Sequence, residues 1–265
     1  MDQEALLPRS VPSEEGVDAT GVSGLLERLE EQGIECHSLM VVRHGRVIAE
    51  GWWAPYSAER PHLLYSLTKS IVGVAVGLAV DDGLIALDDR VVDILPEHVP
   101  DPVSARAAGA DRPMEVNIVD WERLRSGVTF GFHGAYLTTE AIAAFGLLLL
   151  QGGQWRGHQL VSQRWVETAT RRQIETVQFE DGSREPDWLE GYGYHFWRSR
   201  YGYRSDGAMG QLCLVVPEQD LVVAVTAATT STQALLARSG ISSCPAWTSP
   251  APQRTTALSP IVSGS

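Results

Sequence analysis

The stretch that decides the fold reads Leu64-Tyr65-Ser66-Leu67-Thr68-Lys69-Ser70-Ile71, and it opens an apolar run that continues to Val80. On a helix, positions i and i+3 share a face, so the Lys69 ammonium can reach the Ser66 hydroxyl. A serine hydroxyl is a weak nucleophile at its free pKa and needs an adjacent base. Lysine can be that base when burial disfavours its charged form, whereas arginine does not deprotonate in proteins. The spacing alone is common, and a solvated lysine near a helix start would show it too. Composition sharpens the reading. The chain holds 20 arginines and one lysine, and that lysine is Lys69. Lysine stands here at the head of an apolar helix, where only lysine could serve as a base.

Outward from this segment the periodicity is clear. Leu67 to Val80 is apolar almost all round, with Ala and Gly allowing close approach, as expected of a buried central helix that Gly83 ends. Upstream, Val17 to Gln32 has apolar residues at helical spacing with Glu and Arg between them, an amphipathic helix. Ser38 to Arg43, then His44-Gly45, then Arg46 to Glu50 reads as a β-hairpin turning at the glycine. Downstream, Leu84 to Pro96 reads as a connection onto a small helix, and Pro100 to Pro113 as a loop. Thr138 to Leu150 and Ser162 to Ala169 read as two more helices. Gly193 to Ser199, Gly207 to Val216 and Leu221 to Val225 then read as three strands, the last two joined by the turn-forming Pro217-Glu218-Gln219-Asp220. The sum is an α/β layered chain with an antiparallel sheet flanked by helices. From about Arg238 onward, Ser, Thr, Pro, Ala and Arg without periodicity predict an irregular tail over 238–265.

Bulk properties exclude several classes. At 44% hydrophobic and 20% charged, the 265 residues have ordinary globular composition. A net charge of −12 argues against nucleic acid as a partner. The most apolar stretch, Ile71 to Val80, is too short to span a bilayer. Met1-Asp2-Gln3-Glu4 has neither the basic nor the apolar region of a secretory signal, so a cytoplasmic location is expected. Cys36, Cys213 and Cys244 are odd in number and far apart, which suggests neither a disulfide framework nor a zinc site. The seven histidines form no His-x-x-x-His, and Gly-x-Ser-x-Gly is absent; no metal or other cofactor is expected.

Three collinear segments resemble the serine β-lactamase and penicillin-binding (D,D-peptidase) superfamily, most closely its class C-like branch with many esterases. The first is Leu64 to Ile71 followed by Asp82-Gly83-Leu84-Ile85-Ala86-Leu87-Asp88-Asp89. The second runs Leu137-Thr138-Thr139-Glu140, Phe145-Gly146-Leu147-Leu148, Gln151-Gly152-Gly153-Gln154-Trp155 and Leu160-Val161-Ser162. The third is Gly191 to Trp197, then Asp206-Gly207-Ala208-Met209-Gly210-Gln211. The resemblance implies a β-lactamase/transpeptidase-like hydrolase domain over 1–237. Ser66 would form an acyl-enzyme with a small-molecule acyl substrate, with Lys69 as base and an oxyanion held by the N–H groups of Ser66 and of a strand residue matching Ala208. The family's third motif, a cation, a small residue and Gly, falls on Ser205-Asp206-Gly207; the glycine matches and the cation does not. Asp206 would repel a substrate carboxylate.

The second motif, Tyr-x-Asn or Ser-x-Asn, is absent. The single asparagine, Asn117 in Glu115-Val116-Asn117, has no Tyr or Ser two positions earlier. So short a stretch separates Lys69 from Leu137 that the resemblance implies a helical lobe shortened around 95–130, with Ile118-Val119-Asp120 as the start of a remnant helix. His133, in a Gly-rich loop, could titrate near neutrality and act as a substitute base; Tyr136 and Tyr65 are further options. The sequence thus supports hydrolysis of an ester, amide or β-lactam, with a catalytically impaired acyl-binding module as the alternative. The resemblance stops after Ala237; the tail's composition fits either a natural irregular tail or a GC-rich gene read out of frame.

Overall fold

The computed structural model describes residues 5–94, 120–123, 129–177 and 186–238. The amphipathic segment forms α1 (Ala19–Glu31), whose N-cap Asp18 accepts a hydrogen bond from the Thr20 N–H. β1 (Glu35–Arg43) and β2 (Arg46–Trp52) form the expected hairpin. Its two loop residues, His44 at φ 48° and Gly45 at φ 74°, supply the paired positive φ that a tight two-residue connection requires. Next come β3 (His62–Leu63), α2 (Leu67–Asp81), α3 (Val91–Ile94), β4 (Asp120–Trp121) and β5 (Ala135–Leu137). α4 (Thr139–Leu150) is capped by Thr138; β6 (Gln154–Trp155) and β7 (His158–Gln159) form a small ribbon; α5 (Gln163–Thr170) is capped by Ser162. β8 (Trp197–Ser199), β9 (Gly202–Gly207), β10 (Gln211–Val216), β11 (Leu221–Ala228) and α6 (Thr232–Arg238) close the described chain.

Six strands form an antiparallel sheet in the order β2-β1-β11-β10-β9-β8, and β3-β5-β4 form a second, smaller sheet. Both faces of the large sheet are covered. Met40, Val42, Cys213, Val215, Val222 and Ala224 pack with Leu67, Ile71, Ile142, Leu147 and Trp165 of α2, α4 and α5. The alternate residues Leu39, Val41, Leu212, Leu214, Val223 and Val225 pack with Leu25 and Leu29 of α1 and Leu235 and Leu236 of α6. Two-sided burial explains why β10 and β11 read as continuous apolar runs rather than an alternation. A buried hydroxyl chain, Thr139 Oγ1 to Ser38 Oγ at 2.7 Å and Ser38 Oγ to Thr226 Oγ1 at 2.5 Å, ties the start of α4 to β1 and β11.

Four expectations change. Gly207 to Val216 is not one strand: β9 ends at Gly207, and Met209 at φ 63° with Gly210 at φ 83° turns the chain back into β10. Four strands therefore follow α5, because polar β9 was not anticipated. In Gly193 to Ser199 only Trp197–Ser199 is strand, since His195 at φ 64° breaks the extended run. Asp120 begins no helix; with Trp121 it pairs antiparallel with Tyr136 and Ala135. Most of the proposed lobe remnant, 95–119 and 124–128, and the tail 239–265 lie outside the described residues. No described helix is long and apolar enough to cross a membrane.

α2 is fixed from below by what it lacks. A Cβ at Gly77 would lie 2.2 Å from the Trp165 ring, and one at Gly73 would lie 3.2 Å from Tyr194 O. The Trp165 indole N–H donates to Gly73 O at 3.1 Å, and Ser70 Oγ donates to His195 O at 2.5 Å. Gly77→Ala should therefore force Trp165 off α2 and cost about 1–3 kcal/mol, read as a lower urea midpoint with little change in slope.

Candidate active site

Ser66 stands where β3 turns into α2. β3 pairs with β5, and Leu64 N–H donates to Ala135 O at 2.9 Å, so the chain reaches the turn anchored to the small sheet. Tyr65 then takes φ 47°, a left-handed conformation unusual for a side chain of this size. Such backbone costs about 1–3 kcal/mol and persists where its surroundings hold it. The Leu67, Thr68 and Lys69 N–H groups donate to Leu64, Tyr65 and Ser66 carbonyls, and Thr68 Oγ1 accepts from Ala135 N–H at 3.3 Å. The result is a tight helix entry with Ser66 as its N-terminal residue.

One turn on, Lys69 Nζ lies 2.5 Å from Ser66 Oγ and 3.0 Å from Phe132 O, with the Phe132 ring centroid 5.9 Å away. The polar groups against the amine are thus a hydroxyl and a carbonyl. Burial lowers the lysine below its ordinary value. A neutral amine here can donate one N–H to Phe132 O and turn its lone pair to the Ser66 O–H, which is the geometry of a general base.

Phe132 belongs to a loop gripped by Trp121 and Glu122. The Trp121 indole N–H donates to Phe130 O at 2.6 Å and His133 O at 3.2 Å. Glu122 N–H donates to Gly134 O at 2.9 Å, and Phe130 N–H donates to Glu122 O at 3.2 Å. The Glu122 carboxylate receives His133 Nδ1 at 3.1 Å and Tyr136 Oη at 3.3 Å. The two sequence candidates for a substitute base therefore converge on one carboxylate. Glu122 escaped the sequence reading because only the β4–β5 register brings it beside Gly134. The His133 ring also stacks on Phe130 and meets Phe132 edge-on, each with centroids 4.5 Å apart.

The third-motif residues approach from β9. A Cβ on Gly207 would fall 2.1 Å from Leu64 O, so only glycine lets the strand end lie against the turn that carries Ser66. Ala208 is exposed and opens the turn after β9 rather than sitting in a strand. Ser205 is buried beside Cys213 in the β9–β10 register. Asp206, one residue before Gly207, has little exposure and pairs with Arg204 Nε at 3.3 Å. Arg204 is wholly buried beneath the Trp188 and Trp197 rings, at 4.6 and 5.6 Å, and donates to Arg198 O and Ser199 Oγ at 2.8 Å each. Phe196 and Tyr203 are core residues. No group of three or more His, Cys, Asp or Glu able to hold a metal ion occurs among the described residues.

Comparison with known proteins agrees with this architecture. Residues 22–117 match the Beta-lactamase family model. A 79-residue stretch is 35% identical to a 6-aminohexanoate-dimer hydrolase from Paenarthrobacter ureafaciens, covering 30% of this chain and 20% of that protein. Among solved structures, a Bacillus anthracis protein provisionally named a 6-aminohexanoate-dimer hydrolase aligns over 91% of this chain and 87% of its own, with TM-score 0.65 and 14% identity. A penicillin-binding protein homologue from Caulobacter crescentus aligns over 84% and 97% (TM-score 0.57, 13% identity), and a β-lactamase from Mycobacterium bovis over 82% and 96% (0.56, 21%). At these identities the structural likeness is one of fold.

Asp206 yields a pH prediction. Burial pushes its carboxyl up to about 6, against the opposing pull of Arg204. A value raised on folding means this group's stabilisation is complete below the unfolded carboxyl value and is lost as pH rises through about 6. Asp206→Asn should therefore gain stability relative to wild type across that rise, by about 1–3 kcal/mol, measured by urea denaturation at several pH values. A constant difference would contradict it.

Proposed function

We propose that the chain, which resembles the serine β-lactamases and penicillin-binding proteins over residues 22–117 and in its fold, is a serine hydrolase working through an acyl-enzyme on Ser66. The observation that carries the reading is the 2.5 Å contact between Lys69 Nζ and Ser66 Oγ, made by an amine whose burial favours the neutral form. As Oγ attacks the substrate carbonyl, its proton passes to the Lys69 amine. The developing oxyanion lies between the Ser66 and Ala208 N–H groups. Collapse of the tetrahedral intermediate breaks the bond to the leaving group, which takes its proton from the Lys69 ammonium. The regenerated amine then removes a proton from water, which attacks the acyl carbonyl, and the Lys69 ammonium returns that proton to Ser66 Oγ as the acyl bond breaks.

A carboxylic ester is the favoured substrate, with amides and β-lactams behind it. Ser205 occupies the position where the superfamily places a cation, and Asp206 follows it, so a substrate carboxylate would meet no counter-charge there. An ester alkoxide also needs less help in leaving than an amine, which suits a site without a Tyr-x-Asn motif. That absence favours a second reading, an impaired acyl-binding member that keeps the pocket and loses turnover.

A fluorophosphonate probe and p-nitrophenyl esters separate the two. Wild type should be labelled on Ser66, and Ser66→Ala should not. Lys69→Arg keeps the charge but cannot give up its proton, and should lose about 100-fold or more in labelling rate. Labelling should rise with pH along one ionisation lying below the ordinary lysine value of 10.5. Ester turnover completes the case for an enzyme. Labelling without turnover supports the impaired reading, and folded wild type that takes no label on Ser66 contradicts both.

A further inference from the structure

Glu122 has no role in the mechanism above, yet its side chain holds the element that touches Lys69. Its two oxygens take His133 Nδ1 at 3.1 Å and Tyr136 Oη at 3.3 Å, and those residues flank Gly134. Gly134 has φ 97°, and a Cβ there would stand 2.8 Å from Glu122 Cβ, so the loop is pressed against this one residue. The carbonyl of Phe132, immediately before His133, receives Lys69 Nζ at 3.0 Å. No other backbone group is in hydrogen-bond contact with Nζ among the described residues.

We infer that Glu122 is a positioning residue for the Lys69 base: by gripping His133 and Tyr136 it fixes the Phe132 carbonyl, which sets the direction of the amine lone pair toward Ser66. The inference rests on the acyl-enzyme reading but concerns a different link. A neutral amine has two N–H bonds and one lone pair. With one N–H held by a fixed carbonyl, the lone pair has few orientations, and Ser66 Oγ lies in one of them. With the carbonyl free to move, the amine rotates and water reaches it. Misplacement of a reacting group by about 1 Å costs about 100-fold in rate. Among the described residues, the charged and titratable groups at the loop include Glu122, His133, Tyr136 and Arg123, whose backbone bridges to Thr129, with Lys69 Nζ over the Phe132 ring.

Because Lys69 is the only lysine, protein grown on 13Cε-lysine gives a single lysine signal whose titration reports this one amine. Two measurements are made on wild type, Glu122→Ala, Glu122→Gln and His133→Ala: the midpoint of that signal, and the pH profile of fluorophosphonate labelling. Glu122 is half-buried, and circular dichroism and thermal unfolding verify that each variant is folded. Glu122→Ala should move the midpoint toward the ordinary lysine value and slow labelling at pH 8 by about 10- to 100-fold. His133→Ala should act in the same direction. Glu122→Gln retains an acceptor oxygen and should lie between alanine and wild type. A Glu122→Ala protein with the wild-type midpoint overturns the inference, whether or not labelling slows. If wild type takes no label while the midpoint still moves in Glu122→Ala, the acyl-enzyme reading fails and the positioning role stands.

Discussion

A lysine amine held against a serine hydroxyl in partly dry surroundings is the constraint to which much of this structure answers. For the amine to give up its proton, water must be kept away and no carboxylate may stand beside it, since a counter-charge would hold the ammonium. Lys69 is half-buried, its polar neighbours are Ser66 Oγ and Phe132 O, and burial lowers its ionisation. Keeping water out requires that α2 be packed on every side. The large sheet and α4 supply one wall and Trp165 another, close enough that Gly77 can carry no side chain. The helix entry is held by the small sheet, through Leu64 and Thr68 against Ala135. The fold thus acts as a clamp around one turn of helix.

The same logic governs the charges on β9. Arg204 is wholly buried, an expensive place for a guanidinium unless its donors are used. Carbonyl and hydroxyl oxygens of Arg198 and Ser199 and two indole faces take up that role, and Asp206 adds a weak ion pair. The cation therefore belongs to the strand's interior. The motif positions are left with Ser205 and, at Asp206, a carboxyl of raised pKa.

Much of the architecture was legible because it is local. The paired positive φ of His44-Gly45 follows from a two-residue loop between apolar runs, and α1, α2, α4 and α5 follow from periodicity and from capping by Asp18, Thr138 and Ser162. The contact between Ser66 and Lys69 was legible because their spacing is a helical one. What escaped is non-local. β9 reads as polar, since Tyr203-Arg204-Ser205-Asp206 shows no apolar alternation, and Arg204 is buried only because Trp188 and Trp197 cover it. The aromatic-rich run Gly193 to Ser199 reads as a strand, but Gly193 packs against Ala169 O, where a Cβ would sit at 2.1 Å, and the chain turns at His195. Glu122 has no signal in the linear pattern, because its contacts with His133 and Tyr136 exist only in the register of β4 against β5.

The most direct test of the account is the ionisation of the lone lysine in wild-type protein, set beside the pH dependence of Ser66 acylation. The account predicts one lysine signal titrating clearly below 10.5, with its midpoint coincident with that of the acylation rate. A midpoint at or above the free-lysine value, or an acylation profile indifferent to it, would contradict the claim that Lys69 is the base.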